Sequence, residues 1–494
     1  MKKIFLYLLP FLLLSIAGCK KDYLETKPSN AVTEGQIFSK YTSTIAALNG
    51  IYKELFASAI GGNTGHDNFG QKAFDLAVDL QGNDMVVNTQ GYGWFNANYN
   101  LTEWQSQNTA RQSDAAWYRY YDIVKQANKF INNVDNLADA SAEQKDNIKG
   151  QAYGIRAYAY YFLVNYFQQT YKGNESKPGV PIYTEDTLVG KPRGTVQQDY
   201  DLIISDLTNA EQLLTGKTRD SKDNMDLSVI QGFRARVALV MEDWATAVRY
   251  ANKARAGYSL MDSATYREKT AFSSVSGSEV IWGSLIPEEQ ATIYASFFSH
   301  IDISTGGYAA LGGQKKITKA LYDQISVGDV RKLVFRKPGT GTTSNPDYNQ
   351  MKFQVPVPGK WAADYIYMRS AEMYLIEAEA LARQGKDAEA RTVLEELVQA
   401  RYPAYSAANL SGSSLLDEIL IQRRIELWGE GFALLDIKRL NQGLNRPTGT
   451  GNHGAPNYDP GVYTTGPADP RFLMRIPKRE LDNNINMTPA DQNP

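Results

Sequence analysis

"ARVALVMEDWATAVRYANKA", residues 235–254, and "AEALARQGKDAEARTVLEEL", residues 378–397, superpose without a gap, setting Ala235 on Ala378 and Ala247 on Ala390. Each reads as a helix, a short polar turn and a second helix, with small residues where the two helices must cross. The stretches lie 143 positions apart, so this is no tandem array. The helices have to pack together while the chain between them bulges outward. The intervening segments are rich in Gly, Asn, Ser and Thr, which marks irregular insertions at about 61–110, 263–360 and 443–470. Loops of that length are functional or disordered, and their aromatic residues argue against disorder.

The repeated pair resembles the tetratricopeptide unit. Further helices are predicted around it. "TEGQIFSKYTSTIAALNGIYKELF" puts Ile37, Tyr41, Ile45, Leu48, Tyr52 and Leu55 on one stripe, with Thr33 and Gln36 as a capping box. Ser141 with Gln144 and Thr195 with Gln198 repeat that start signal. Trp117, Tyr121, Val124, Asn128, Ile131 and Val134 mark one more helix. The expectation is a mainly α protein, its helical scaffold lying mainly at 36–60, 111–260 and 361–442, with long irregular loop insertions.

Cys19 is the only cysteine of 494 residues. Before it stand Lys2 and Lys3, an apolar run from Ile4 to Ile16, and Ala17-Gly18, the order of an export signal. The run is too short to span a bilayer. Ile16-Ala17-Gly18-Cys19 resembles a bacterial lipobox, which predicts removal of residues 1–18, a lipid on Cys19, a polar tether over 19–35 and one folded domain over 36–494. Lys20 after the cysteine favours the outer membrane.

A net charge of −2 gives no sign of a nucleic-acid surface, and no second run is long enough to cross a membrane. The 31 tyrosines stand out; their rings suit surfaces that are apolar on the face and wet at the hydroxyl. His66, His300 and His453 sit in no metal or catalytic pattern, and GxSxG, CxxC and phosphate-loop motifs are missing. "DLQGND" (Asp79–Asp84) is faintly like a calcium loop without its closing glutamate, which leaves a structural calcium as a weak expectation beside a surface turn. In "RRIELWGEGFALLDIKRL", Arg423 with Glu426 and Asp436 with Arg439 have the spacing of helix-face ion pairs.

Together the lipobox start, "YGIRAYAYYFLVNYF" (153–167), "YMRSAEMYLIEAEALARQG" (367–385), the 423–440 stretch and "MRIPKRELDNNINMTPADQNP" (474–494) resemble the SusD/RagB family of Bacteroidetes outer-membrane lipoproteins. The resemblance implies a SusD-like fold and a cell-surface binder that is no enzyme and uses no cofactor. Its partners would be a SusC-like TonB-dependent transporter and an oligosaccharide or polysaccharide ligand, or in some members a peptide. A surface glycoside hydrolase and a helical interaction scaffold are the competing classes. Arg156, Tyr160, Glu372, Glu377, Glu426 to Arg439, Pro477, Glu480, Leu481 and Asn484 match family motifs that hold helices together.

Ligand contacts therefore have to be sought in the insertions. A sugar ring needs a flat exposed aromatic and flanking polar groups for its hydroxyls. "HDNFG" and "NTQGYGWFNANYN" offer Tyr92, Trp94, Asn96 and Tyr99 with Asp67 and Asn68, Gly91 and Gly93 letting the backbone lift Trp94 outward. Trp94 is either this stacking platform or a loop plug against the helices. "IYASFFSHIDISTGGYAAL" offers Tyr294 and Tyr308.

Overall fold

The computed structural model describes residues 34–60, 63–104, 111–187 and 189–494; Cys19, the predicted tether up to 33 and the Thr33 cap lie outside the described residues. Long helices run in chain order as α1 Tyr41–Glu54, α2 Gln71–Leu80, α3 Arg111–Asn133, α4 Ala142–Phe167, α5 Val196–Leu214, α6 Leu227–Met241, α7 Trp244–Arg255, α8 Ser370–Arg383, α9 Asp387–Arg401, α10 Gly412–Glu426 and α11 Ala433–Arg439. From α3 to α9 each helix packs on the next, and α7 against α8 joins the two halves of the repeat across the middle insertion. Ala247 and Ala390 are buried at those crossings, as small residues must be where backbones approach.

The predicted caps at Ser141 and Thr195 form in full, each hydroxyl accepting from the backbone three residues on and each glutamine reaching back. The first predicted helix does not run unbroken. A short turn Glu34–Ile37 is separated from α1, whose opening N–H at Tyr41 is capped by Asp139 at 2.9 Å from 98 residues away. A distant carboxylate supplies the start that local periodicity could not mark.

A larger difference is α2, which stands where a ligand loop was expected. All ten of its residues are buried, polar ones included. Tyr120 and Tyr158 donate their hydroxyls to Gln71 at 2.6 and 2.5 Å, Gln71 donates to Asp75 at 2.8 Å, and Lys72 pairs with Asp75 at 3.4 Å. Gln71, Lys72, Asp75 and Asp79 recur at helical spacing, so a polar face is there to be read; what the spacing does not show is that this face is covered.

Asp79 and Asp84 are not arranged as a calcium loop. Asp79 accepts the backbone N–H groups of Gly431, Phe432 and Ala433 at 2.9–3.1 Å, where α11 begins, and burial pushes it up to about 7. Asp84 is held by both forks of Arg424 at 2.6 and 2.8 Å. Among the described residues no group of three His, Cys, Asp or Glu could hold a metal ion.

Of the two ion pairs that the spacing offers in the 423–440 stretch, Asp436 with Arg439 forms at 2.6 Å and Arg423 with Glu426 does not. Arg423 pairs across helices with Asp436 at 2.7 Å, and Arg439 takes both Asp436 and Glu379. Glu426 instead enters a buried network. Arg369 reaches Glu279 at 2.6 Å, Glu426 at 3.1 Å and Glu430 at 2.6 Å, while Arg401 joins Glu426 to Glu279. Arg331 and Lys352, from the middle insertion, complete it. Other family-motif residues tie helices likewise: Arg156 forks onto Asp206, Glu372 onto Arg236, and Glu377 holds Arg255.

Among the described residues six short strands form three antiparallel pairs: β1 Met85–Val87 with β5 Lys315–Ile317, β2 Pro178–Pro181 with β3 Arg193–Thr195, and β4 Val280–Ser284 with β6 Tyr365–Arg369. The third pair leads straight into α8, so the middle insertion is stitched to the repeat where it returns. The first pair joins the first insertion to the middle one, and this positions the site below.

Candidate functional site

Met85 pairs with Ile317 and Val87 with Lys315, and the ribbon is extended by side chains. Asn88 donates to Gln314 at 3.0 Å and Thr89 to the Gly312 carbonyl at 2.7 Å. The loop 88–95 is thereby laid alongside 308–314. Gly91 and Gly93 both take positive φ, as does Phe95, so the chain reverses tightly. Phe95 turns inward, edge-on to Phe69 and His300, while Trp94 stays half-buried at the surface. The plug of this loop is Phe95.

Around Trp94 the two insertions gather a cluster of rings. His66 is at its centre, parallel to Trp94 with centroids 5.4 Å apart and to Tyr294 at 5.8 Å. Tyr308 lies 5.8 Å from His66, and its hydroxyl and His66 Nδ1 share a hydrogen bond of 2.5 Å. Tyr92 meets Tyr308 at 5.3 Å, Tyr294 meets it at 5.6 Å, and Trp361 borders Tyr294 at 5.9 Å. The open rings are Tyr92, 71 % exposed, and Tyr294, 46 % exposed. Trp94 is less free, because the Arg111 guanidinium sits over its ring at 5.2 Å.

The floor is fixed from below. His300 stacks under Tyr308 at 4.9 Å and bonds the His66 carbonyl through Nε2 at 2.8 Å. Burial, with the nearby Lys315 charge adding to it, lowers His300 to about 3, so this imidazole stays neutral. Burial likewise lowers Lys315 to about 7. Asp67 is buried and pairs with Arg111 at 3.1 Å; burial raises its carboxyl, and Arg111 offsets part of the rise.

Of the eight candidate contacts, the structure brings Tyr92, Trp94, Tyr294 and Tyr308 together, with Asp67 beneath them. The other three serve the scaffold. Tyr99 is wholly buried with its hydroxyl on His453 Nδ1 at 2.6 Å. Asn68 bonds the Ile60 and Asn63 carbonyls at 2.8 Å and accepts from Arg119. Asn96 holds the Gln90 carbonyl at 3.0 Å. A short loop that must close on itself turns its amides inward. Sequence reasoning missed His66 and Trp361, for which no local pattern exists; the β1–β5 ribbon and the β6 return bring them in.

A larger cavity, about 800 Å³, is elsewhere, between α10 and α11. Its walls mix Leu420, Ile421 and Leu440 with the charged Asp84, Asp417, Arg423, Arg424 and Asp436; of its two rings, Trp428 is buried and Phe432 is covered by Arg236 and Arg423. Stacking on a ring is therefore better served at the His66 cluster.

Residues 22–239 match the family model described as "Starch-binding associating with outer membrane", and residues 347–494 match that of the "SusD family". A SusD-like protein of Formosa agariphila is 24% identical across 97% of this chain and 97% of its own length. A SusD-like carbohydrate binding protein from Bacteroides vulgatus superposes with a TM-score of 0.79 at 27% identity, covering 92% of this chain and 98% of that one. The fold is shared at 16% identity with surface glycan-binding protein A of Bacteroides thetaiotaomicron, solved with laminarihexaose: TM-score 0.69, over 91% and 98% of the two chains.

Proposed function

Because the chain belongs to the SusD/RagB family, we propose that it is a cell-surface glycan-binding protein, lipid-anchored at Cys19, which captures oligosaccharides and passes them to a SusC-like TonB-dependent transporter in the outer membrane. The observation that carries the binding half is the ring cluster: Tyr92 and Tyr294 present open faces, and His66, Tyr308 and Trp94 hold them from behind. Aromatic faces take the C–H side of a sugar, and a rim of hydroxyl and imidazole groups takes its hydroxyls. The carbohydrate-binding description of the 27% identical B. vulgatus structure supports the ligand class, and the outer-membrane association in the family description supports the place. Capture requires no turnover, and the buried Asp67, tied to Arg111, is suited to holding the site together.

Isothermal titration against a panel of α- and β-linked gluco-oligosaccharides and hemicellulose fragments tests this reading. The expected result is binding of one linkage class without release of reducing ends, abolished or much weakened in Tyr294→Ala. Release of reducing sugar by the purified protein would transfer the site to the hydrolase class. For the anchor, Cys19→Ala is expected to leave the membrane fraction, since one lipidated residue supplies the attachment.

A further inference from the structure

We propose a second saccharide subsite in the cleft between the outer face of α3 and segment 183–187, occupied by the same glycan chain that lies on the ring cluster; it rests on the glycan-binding reading above. The cleft holds about 190 Å³ and is lined by Trp117, Tyr118, Tyr121 and Tyr183, of which Trp117 is buried and Tyr118 carries the Arg479 guanidinium over its ring at 3.6 Å. That is below the roughly 300–1,000 Å³ of drug-sized pockets and suits about one sugar ring. Its rings are set, not loose. Trp117 and Tyr121 are 4.9 Å apart, Tyr183 stands edge-on to Tyr121 at 5.6 Å, and the Tyr121 hydroxyl is anchored on the Pro181 carbonyl at 2.8 Å. Tyr183 accepts the Lys191 N–H at 2.9 Å, which fixes the opposite wall.

Around these faces stands a rim of both charge signs. Lys125 lines the cleft and makes no ion pair among the described residues; Thr187, Glu185 paired with Lys191, Asp186 paired with Lys129, and Glu480, which accepts from Trp117 Nε1, face it. A neutral ligand with many hydroxyls can use donors and acceptors together, whereas an anion or a cation would meet a like charge. Aromatic walls and a mixed rim are what the ring cluster also offers.

The two places are connected by helix geometry. Arg111, Tyr118 and Lys125 follow one another at seven-residue spacing and so lie on one face of α3, about 10 Å apart per step at 1.5 Å per residue. Arg111 sits over Trp94 in the ring cluster, and Tyr118 and Lys125 line the cleft. A short oligosaccharide reaches one place; a chain of several sugars reaches both, and the second contact is made at high effective concentration.

The test is titration of the full mature protein with a trisaccharide and a polymer of whichever glycan the panel selects, on wild type, Tyr118→Ala and Thr187→Trp. Thr187→Trp fills the cleft from its exposed wall and keeps the test valid should Tyr118→Ala disturb α3. The expected result is a loss of about tenfold in polymer affinity in both variants, with trisaccharide affinity and melting temperature unchanged. Equal polymer affinity in all three proteins overturns the subsite and leaves the glycan reading standing. A wild type that binds no saccharide overturns both. Equal losses for trisaccharide and polymer would also overturn it, since the variants would then act through the ring cluster.

Discussion

The middle insertion sends side chains to two clusters of opposite character. Tyr294 and Tyr308 go to a surface of half-wet rings, whereas Glu279, Arg331 and Lys352 go to a network of charges sealed beneath the repeat. In the first, apolar faces are left where water can reach them; in the second, full charges are taken out of water and paired. Both arrangements run against ordinary burial preferences. They differ in what they do for the molecule: the sealed charges join the insertion to β6, α9 and α10, whereas of the rings only Trp94 packs against the core. Stability and binding should therefore separate by cluster.

The strongest way to break this contrast is to remove a sealed charge. Arg369→Met leaves Glu279, Glu426 and Glu430 without their shared guanidinium, and unpairing a buried ion costs about 3–5 kcal/mol. Denaturant unfolding should show that loss, with saccharide affinity of the remaining folded protein little changed. An unaltered midpoint would mean that water enters the network.

Overpacking the repeat comes next. Ala247→Leu and Ala390→Leu force extra carbons into fully buried crossings and should each cost about 1–3 kcal/mol in the same assay. Similar losses at both positions would sharpen the view that the two units are one motif used twice; a loss at only one would break it.

At the ring cluster the ledger should invert. Tyr294→Ala removes an open ring, and loss of such an anchor commonly costs about 2 kcal/mol of binding, roughly thirtyfold, with melting unchanged. Trp94→Ala should lose both, because its ring also packs against His66 and the edge of the core. Titration beside a melting curve distinguishes them.

How much of this could be read in the chain follows the same division. Ser141 and Thr195 announced their helices because a cap is a local event, and Ala235 with Ala378 announced the repeat because small residues at crossings recur at fixed spacing. In Gln71–Leu80 the helical spacing of Gln71, Lys72, Asp75 and Asp79 is legible but their burial is not, since the partners that cover them, such as Tyr120, Tyr158 and Gly431, come from far along the chain. Trp94 and Tyr294 could be named singly as exposed rings; that they share His66 depends on pairing β1 with β5 across more than two hundred residues. The partner of Arg423 was misread for the same reason, because helix spacing points to Glu426 and the crossing of α10 with α11 supplies Asp436. Local physics is written locally, and convergence is not.

The smallest effect separates two kinds of buried carboxylate within the scaffold itself. Burial opposes the ionisation of Glu430, but Arg369 and Lys352 outweigh it and lower the group to about 2; Glu426, beside Arg401, Arg369 and Arg331, is also lowered. Glu54 has the reverse surroundings: burial first and the neighbouring Asp122 second raise it to about 7, and one of its oxygens has no hydrogen-bond partner among the described residues. The signs follow from proton binding. For Glu426 and Glu430 the folded protein holds fewer protons than the unfolded chain, so their stabilisation is complete above the ordinary glutamate range near pH 4 and is lost as pH falls toward 2. For Glu54 the folded protein holds more, so stability declines as pH rises from about 4 to about 7 and is level beyond. Glu54→Gln keeps the shape and the acceptor for Gln126 while removing the titration. Melting temperatures measured from pH 3 to 8 should show the variant gaining on wild type between pH 4 and 7, with the acid limb below pH 4 the same in both. A variant whose curve parallels wild type across that range would place the Glu54 carboxylate in water, and would remove it from the set of charges that the fold has sealed.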